Sequence, residues 1–356
     1  MSSPAPEPPR TTATWTGAEL HDSPQEWARE WTTPLLDELV GTVAEVVDEL
    51  VDETGEADLA QLDPATFAPT SIREFAADIR RDLIDGRGFT LVRGFPVDQL
   101  DHRTVAIAFF IFGGLIGRPR SQNAAGHLLG HVRDVGADLA DPGTRIYQTN
   151  ERQSFHTDSC DAVVLLCLNT AESGGRSMLA SVEAVYGEMY RRRPDLAARL
   201  FDPVATDRRG ELPVGGHPWF EIPVLSWYGD RLTVLYQRTY IDSATRFDDA
   251  PRLDPEQVEA LDLFDEIVNE PGFHLSMELE PGDMQFVHNH SLVHDRTAFV
   301  DHPDPARRRH LLRLWLSLPG DRPLPPTFTQ RYGSIEVGDR GGIVVSDTEL
   351  CVPLDV

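Results

Sequence analysis

A ten-residue stretch near the C-terminal end alternates strictly between two classes of side chain. From Arg309 to Leu318 the odd-numbered positions hold arginine, leucine, arginine, tryptophan and serine, whereas the even-numbered ones hold histidine and then leucines. Because successive side chains of a β-strand point to opposite faces, this pattern predicts a strand with a leucine face packed against an apolar layer. The opposite face, with Arg309 and Arg313, must then point into a polar interior.

A buried arginine is costly unless an anion pairs with it. No acidic residue occurs between Arg307 and Gly320 to serve locally. The planar, two-pronged guanidinium suits a carboxylate, so we expect a ligand carboxylate beside Arg309. Arg308 would take this place if the strand slipped by one residue, and the sequence leaves that alternative open.

Two further segments offer metal ligands. His156 and Asp158 lie just before the continuous apolar run Ala162–Leu168, which is typical of a buried strand. Residues two apart on an extended chain point to the same side, so both side chains can bind one ion. His294 follows the short predicted strand Met284–Val287. Two imidazoles and one carboxylate form the facial triad that holds iron(II) and leaves coordination positions open for substrate and oxygen.

Other histidine patterns compete with this interpretation. His302 and Asp304 repeat the His-x-Asp spacing, but they lie in a Pro-rich, charged run that predicts a solvated turn. His288 and His290 form a His-x-His pair of the kind found in cupin-type metal sites. Because no glutamate ligand is spaced nearby, we interpret this pair as residues at a strand end or behind the ligands.

In their order along the chain, these motifs resemble the TauD/TfdA group of iron(II)/2-oxoglutarate-dependent dioxygenases, which are clavaminate synthase-like. The resemblance runs from roughly residue 89 to residue 356. Phe155–Asp158 resembles the first metal pair of the family, and Asn289–His294 resembles the segment that ends in the second metal histidine. The resemblance implies that His156, Asp158 and His294 bind Fe(II).

The resemblance also implies a site for 2-oxoglutarate as the co-substrate. Arg309 and the hydroxyl of Ser177 would hold its distal carboxylate, although threonine is more usual than serine at the latter position. Arg313 would lie near the substrate or near the proximal carboxylate. Asn289 is placed in the same cofactor-binding set.

The activity implied by the resemblance couples decarboxylation of 2-oxoglutarate to succinate with O2-dependent hydroxylation of a small molecule. The sequence does not identify this molecule, and Arg313 favours an amino acid or another carboxylate. Asp158 is the carboxylate that related halogenases lack, so its presence leaves hydroxylation, desaturation or cyclisation. The alternative from another class is a metal- and 2-oxoglutarate-binding or sensing protein without turnover.

Composition limits the partners. The net charge of −26 over 356 residues repels nucleic acid and anionic membrane surfaces, so neither is expected to bind. No apolar stretch reaches membrane-spanning length, and the first residues lack the pattern of a signal peptide. Three cysteines are a sparse set typical of a reducing compartment, so a cytoplasmic location is expected. The sequence leaves a homo-oligomer open.

We predict an all-β core with helical additions, which the resemblance makes a double-stranded β-helix, or jelly roll, with helices packed on one sheet. Residues 1–22 are expected to form a disordered tail, and residues 23–356 a single jelly-roll dioxygenase domain. Within it, residues 23–70 are expected to be a helical N-terminal extension. Residues 202–247, rich in Pro, Gly, Trp and Tyr, are expected to form a lid or substrate wall.

Helix starts have their own signals. Ser71 with Glu74 predicts a capping box, and Asp254 with Gln257 predicts another, with proline at the first helical position. A further helix is expected after Ser181.

Overall fold

Two β-sheets face each other in this computed structural model, which describes residues 4–50, 59–138, 144–212, 216–343, 345 and 348–354. Residues 1–3 of the predicted tail, 51–58 of the predicted extension and 213–215 of the predicted wall lie outside the described residues.

The strands are β1 (Ala28–Glu30), β2 (Phe89–Arg93), β3 (Arg118–Arg120), β4 (Leu129–Val132), β5 (Gln153–His156), β6 (Ala162–Asn169), β7 (Ser173–Gly174), β8 (Ser177–Ser181), β9 (Pro203–Asp207), β10 (Trp219–Pro223), β11 (Leu225–Tyr228), β12 (Arg231–Val234), β13 (Leu275–Met277), β14 (Met284–His288), β15 (Leu292–Arg296), β16 (Phe299–Val300) and β17 (His310–Ser317). The helices are α1 (Gly17–Leu20), α2 (Thr33–Leu50), α3 (Thr70–Ile84), α4 (His102–Ile116), α5 (Val182–Arg192), α6 (Pro194–Arg199), α7 (Arg238–Ser243), α8 (Pro255–Asn269) and α9 (Thr329–Tyr332).

The larger sheet has the order β1-β2-β14-β6-β17-β3, with β4 also paired to β17, and the smaller sheet has the order β13-β8-β15-β5. Pairing is antiparallel except between β1 and β2. Strands of both sheets contribute to one apolar cluster, which shows that the sheets pack face to face. That cluster includes Leu91, Val163, Val287 and Leu311 of the larger sheet and Leu179, Leu275 and Leu292 of the smaller one.

Strand β17 has the two faces that its alternation predicts. Leu312, Leu314 and Leu316 pack with helices α2, α3 and α4 in the main hydrophobic core. Leu311 and Trp315 point the other way, into the cluster between the sheets. The predicted β core with helical additions is therefore confirmed.

The prediction that helices pack on one sheet only is wrong. Met178 and Ala180 of β8 and Val293 of β15 form a second apolar cluster with residues of α5, α6 and α8. All five residues of β8 are buried, because one face of the strand meets the larger sheet and the other meets these helices. Helices therefore cover the outer face of the smaller sheet as well.

The N-terminal residues pack on the domain, so the prediction of a disordered tail is not supported for residues 4–22. Trp15 and Leu20 are buried in the cluster between the sheets. The Trp15 ring lies 5.3 Å from the ring of Phe89, and the Thr11 hydroxyl donates to Glu183 at 2.8 Å. A few well-placed apolar side chains order a segment whose average composition is polar.

The predicted extension is helical only in part. Helix α2 presents Leu39, Val43 and Val46 to the main core, so this part of the predicted extension is helical. Before it, residues 28–30 form β1, which pairs in parallel with β2, instead of a helix. None of the described helices is long and apolar enough to cross a membrane.

Candidate active site

Three side chains with metal-binding atoms converge at one end of the smaller sheet. His156 ends β5 and pairs in register with His294 of the neighbouring β15, and the two rings lie 4.2 Å apart between centroids. Asp158 follows two residues after His156. Its carboxylate oxygens lie 3.8 Å from Nε2 of His156 and 3.9 Å from Nε2 of His294. One ligand atom from each residue falls within 4.8 Å of the others, so the three predicted ligands are brought together.

Both imidazoles are suited to binding a metal in the neutral form. Nδ1 of His156 donates to the carbonyl oxygen of Ser154 at 2.9 Å, which leaves the Nε2 lone pair facing Asp158. The side-chain amide of Gln153 donates to that lone pair at 2.7 Å. Burial lowers the pKa of His156, and burial together with His156 lowers the pKa of His294 to about 3. Neither ring needs to lose a proton before it binds an ion near neutral pH.

The carboxylate of Asp158 is kept ionised by its neighbours. Burial alone would raise its pKa, but the positive Arg313 guanidinium and the hydrogen bond from the Trp315 indole oppose burial, and the pKa is lowered. The indole N–H of Trp315 donates to Oδ2 at 2.8 Å, and Nη1 of Arg313 lies 3.6 Å from the same oxygen. An ionised carboxylate between two neutral imidazoles fits a divalent iron ion.

Asn289, which the sequence predicts in the cofactor-binding set, lies behind the metal carboxylate. It is fully buried and borders neither of the cavities described below. Its Oδ1 accepts the backbone N–H of Asp158 at 3.1 Å, and its Nδ2 donates to the sulfur of Cys160. Asn289 therefore positions the backbone that carries the metal carboxylate.

A cavity lies between the sheets, and we call it the inner cavity. It is bordered by the three metal-site residues and by Ser177, Gln285, Arg296, Arg309 and Arg313, with apolar walls from Val163, Leu165, Val287 and Leu311. Its polar groups come from both sheets, which explains why no single stretch of sequence reveals it.

Arg309 points into the inner cavity, whereas Arg308 is exposed. The strand register left open by the sequence is therefore the one that favours Arg309. Its guanidinium lies 5.1 Å from the ring centroid of Phe299, and its Nη1 is buried without a hydrogen-bond partner among the described residues. Burial lowers the pKa of Arg309 to about 10, so the side chain is still charged at neutral pH. A cation in this position fits a ligand carboxylate.

The inner cavity has a third arginine, Arg296, which the sequence did not predict. Arg296 donates from Nη1 to the carbonyl oxygen of Thr149 at 3.0 Å, and its buried Nε has no partner among the described residues. Burial, and then repulsion from Arg309, lowers the pKa of Arg296 to about 9. Arg296 follows His294 by two residues on β15. Residues two apart on a strand point to the same side, so this spacing could have predicted Arg296.

Ser177 and Arg313 lie on opposite sides of the same space. The Ser177 hydroxyl donates to Oε1 of Gln285 at 2.9 Å inside the inner cavity. Arg313 donates from Nε to Oε1 of Gln122 at 2.6 Å, and its guanidinium lies 4.5 Å from the ring centroid of Tyr147. Both predicted residues therefore border the site.

A further cavity, the outer cavity, also borders the metal site, at His156 and Asp158. It shares Tyr147, Gln153, His156, Asp158 and Arg313 with the inner cavity. The segment 202–247 borders much of the rest, with Thr206, Asp207, Arg208, Glu211, Phe220, Leu235, Tyr236, Gln237 and Tyr240. The role of this segment as a lid or substrate wall stays a prediction.

His288 and His290 face away from this centre. Nε2 of His288 lies 3.1 Å from Asp321, and Nε2 of His290 lies 2.9 Å from Asp161. These carboxylates also accept from the guanidinium of Arg340, at 2.7 Å for Asp161 and 2.9 Å for Asp321. A cation is thus already present between the acids, and we interpret the group as a buried ion network that ties β14 to the C-terminal segment.

Residues 54–315 match the taurine catabolism dioxygenase TauD, TfdA family. The chain belongs to this family. A curated relative, FR-33289 synthase from Streptomyces rubellomurinus, is 33% identical over 330 residues, which cover 90% of this chain and 93% of that protein. The resemblance seen in the sequence is confirmed, and with it the enzyme class of iron(II)- and 2-oxoglutarate-dependent oxygenases, which are oxidoreductases.

Solved structures share the fold of this TauD/TfdA member. Asparagine oxygenase in complex with Fe(II), 2S,3S-3-hydroxyasparagine and succinate superposes with a TM-score of 0.62 at 18% identity, covering 82% of this chain and 93% of its own. The non-heme iron oxygenase OrfP in complex with Fe and alpha-ketoglutaric acid gives a TM-score of 0.61 at 16% identity, covering 81% and 93%. Both are oxygenases with the same β core and helices.

Proposed function

We propose that this protein hydroxylates a small molecule, with iron(II) bound by His156, Asp158 and His294 and 2-oxoglutarate bound in the inner cavity. The observation that carries the proposal is that all three triad residues border the inner cavity, which holds a buried arginine with an unpaired nitrogen, while His156 and Asp158 also border the outer cavity. One cavity suits a carboxylate co-substrate and the other is left for the molecule to be oxidised.

The bound iron and 2-oxoglutarate supply the oxidising chemistry, in which substrate C–H, O2 and 2-oxoglutarate give C–OH, succinate and CO2. The protein binds and orients the iron and 2-oxoglutarate and shields them from water. Arg309 holds the distal carboxylate, and Ser177 can turn its hydroxyl from Gln285 toward the same group. The apolar walls of the inner cavity exclude water from the remaining length of the molecule.

Around the metal, neighbouring residues fix the protonation state and the position of Asp158. Trp315 and Arg313 stabilise the ionised Asp158, while Asn289 holds its backbone N–H. Arg313 borders both cavities, so it can pair with the proximal carboxylate or with an anionic group of the substrate. These contacts set the site before any ligand arrives, which lowers the cost of reorganisation.

The fold and the structural relatives support the finer parts of the proposal. The two facing sheets and the order of their strands are those expected of a double-stranded β-helix. Asparagine oxygenase is one structural neighbour, and OrfP was solved with (3S)-hydroxy-L-Arg. Both favour hydroxylation of an amino acid or another small carboxylate over desaturation or cyclisation.

The test is succinate formation by purified protein with iron(II), ascorbate, O2 and 2-oxoglutarate. Slow, substrate-independent succinate production is expected, because members of this class decarboxylate 2-oxoglutarate without full coupling. A screen of amino acids and small carboxylates for stimulation would then identify the substrate. A protein that binds both iron(II) and 2-oxoglutarate but forms no succinate under any condition would instead be a binding or sensing protein.

A further inference from the structure

Three arginines border the outer cavity in addition to Arg313. Arg145 and Arg331 share one carboxylate, that of Glu211, and Arg208 lies beside them. We call these three arginines with Glu211 the arginine wall. Arg145 precedes β5, Arg208 and Glu211 follow β9, and Arg331 lies on α9. The wall therefore forms only when these distant segments come together in the folded protein.

Arg208 is the member without an acidic partner. It is 6% exposed and forms no ion pair among the residues that the structure describes. Its hydrogen bonds run to the backbone carbonyl oxygens of His217, at 3.0 Å, and Gln330. Burial, and then repulsion from Arg331, lowers the pKa of Arg208 to about 10, so it remains a buried cation at neutral pH. Its described hydrogen bonds all run to carbonyl oxygens, and the nearby Glu211 carboxylate, which attracts it, is already paired with the other two arginines of the wall, so Arg208 favours an anionic ligand.

The other acids of the outer cavity do not neutralise this wall. Asp207 is paired with Arg246 at 3.0 Å and accepts from Ser243 at 2.8 Å. Asp158 is a proposed metal ligand that lies 3.6 Å from Arg313. Among the residues that the structure describes, the wall therefore has three positive groups against the single carboxylate of Glu211, which leaves two positive charges in a chain of net charge −26.

The wall lies within reach of the metal site. Nε of Arg331 donates to the hydroxyl of Ser159 at 2.8 Å, and Ser159 directly follows Asp158 in the chain. Arg208 and Arg331 lie on the ring of Phe220, at 5.2 Å and 5.8 Å from its centroid. A small ligand held between the guanidinium groups would extend across the outer cavity toward the triad.

We propose that the arginine wall binds a tetrahedral dianion of the substrate, a phosphate-monoester or phosphonate group, and thereby presents the carbon to be oxidised to His156, Asp158 and His294. This inference rests on the proposed function, and it assigns a dianion, in place of the carboxylate considered there, as the substrate group that the outer cavity binds. Two surplus positive charges match a dianion better than a carboxylate, which has one negative charge. Several guanidinium groups can also share the oxygens of a tetrahedral anion, each through paired N–H donors.

The experiment is a calorimetric titration of the oxygen-free protein loaded with iron(II) and saturating 2-oxoglutarate. Saturation occupies the inner cavity, so an added anion reports on the outer one. The probes are methyl phosphate and methylphosphonate, which represent the two sources of a dianion, and acetate and methanesulfonate as monoanions. The dianions are expected to bind at least about tenfold more tightly than the monoanions, and the preference between them identifies the source.

Variants tie this binding to the wall. Arg208→Gln is expected to weaken methyl phosphate binding at least about tenfold, as for loss of a charged hydrogen bond. Arg252→Gln, at an exposed arginine outside both cavities, is the matched control and should bind as the wild type does. Circular dichroism checks the fold, and Arg331→Gln is the second variant if Arg208→Gln does not fold.

Equal binding of acetate and methyl phosphate would overturn the inference, as would wild-type binding by folded Arg208→Gln and Arg331→Gln. The titration of 2-oxoglutarate into the iron-loaded protein is recorded first and separates the two proposals. If 2-oxoglutarate fails to bind, the proposed function fails. Methyl phosphate binding that depends on Arg208 would still establish the wall as an anion site.

Discussion

Arg309 carries a positive charge into the inner cavity, where no described carboxylate pairs with its guanidinium. Its backbone N–H is satisfied by Asp301 at 2.7 Å, so the main chain holds the residue in place while the side chain stays available. A residue that is fixed at its backbone and unpaired at its charged end is suited to binding a ligand, because little reorganisation is needed when the ligand arrives.

Replacing Arg309 with leucine should therefore affect the co-substrate above all. The distal carboxylate loses a charged, two-pronged partner, which costs about 2 kcal/mol or more of binding free energy. The apparent KM for 2-oxoglutarate should therefore rise at least about thirtyfold. Succinate formation at varied 2-oxoglutarate measures the effect. Arg308→Leu is the matched control, since Arg308 is exposed. A larger effect at position 308 would contradict the assignment.

The metal ligands allow an equally direct test. Alanine at His156, Asp158 or His294 should abolish iron-dependent succinate formation and weaken iron(II) binding, measured by titration with a metal indicator, while the fold is kept. His302→Ala, in the second His-x-Asp pattern, should leave both unchanged because it lies outside both cavities. Full activity in any one of the three ligand variants would remove that residue from the site.

Among the elements, the turn between β7 and β8 limits where Arg309 can lie. Gly175 has a φ of +70°, a region that favours glycine, and a Cβ added there would lie 3.0 Å from Nε of Arg309. The absence of a side chain at this turn is thus part of the co-substrate site, although the turn itself binds nothing.

Gly175→Ala should weaken 2-oxoglutarate binding by displacing Arg309, and should also lower the free energy of unfolding by about 1–2 kcal/mol through backbone strain. Gly94→Ala is the control, since Gly94 has a φ of +84° and open space around its Cβ position. Gly94→Ala should show the same decrease in the free energy of unfolding, measured by urea denaturation, without a change in the apparent KM for 2-oxoglutarate. Equal constants in the two variants would refute steric positioning by this turn.

Elements differ in how far local sequence predicts them. The capping box of Asp254 and Gln257 forms as predicted, and Ser181 accepts from the N–H of Ala184. Ser71 does not cap a helix, because α3 begins at Thr70 and the Ser71 hydroxyl donates instead to Glu38 of α2. A cap depends on neighbouring residues only, until a partner from another element competes for the same hydroxyl.

At the scale of the whole molecule, burial of histidines makes stability depend on pH. His310, at the start of β17, lies 3.0 Å from His131 between ring nitrogens. Burial, and then the positive groups around it, lowers its pKa to about 3, against about 6.5 in the unfolded chain. The unfolded chain therefore binds the proton more strongly than the folded chain. The contribution of neutral His310 to the free energy of unfolding is complete above about pH 6.5 and is lost as the pH falls toward 3.

His310→Gln should make stability less sensitive to acid. Glutamine can keep a hydrogen bond to His131 but does not titrate, so the variant should lack a loss on the order of 1 kcal/mol per pH unit between about pH 6 and pH 4. Urea unfolding of both proteins at several pH values measures the difference. His302→Gln serves as the control. Parallel pH profiles for wild type and His310→Gln would show that His310 does not carry this dependence.

The whole site was only partly predictable, for a physical reason. Side-chain spacing and strand alternation are local, so they predicted His156, Asp158, Arg309 and Arg313, whereas Ser177 and the choice of His294 came from the resemblance to the family. Which helices cover the smaller sheet, and which arginines meet in the outer cavity, depends on contacts between distant segments. Asn289 was misassigned for the same reason, because the order of motifs cannot distinguish a residue that touches a ligand from one that holds a ligand's backbone.

Tyr147, Gln153 and Arg313 border both cavities, so the two binding spaces are adjacent chambers rather than separate sites. One molecule could therefore occupy both at once. A dicarboxylate head for the inner chamber, joined by a short linker to a second anchor in the outer one, would bind its second end at a high effective concentration. Such bivalent ligands can exceed the affinity of either half by about 10²–10⁴-fold without any new contact, provided that the linker spans the metal site.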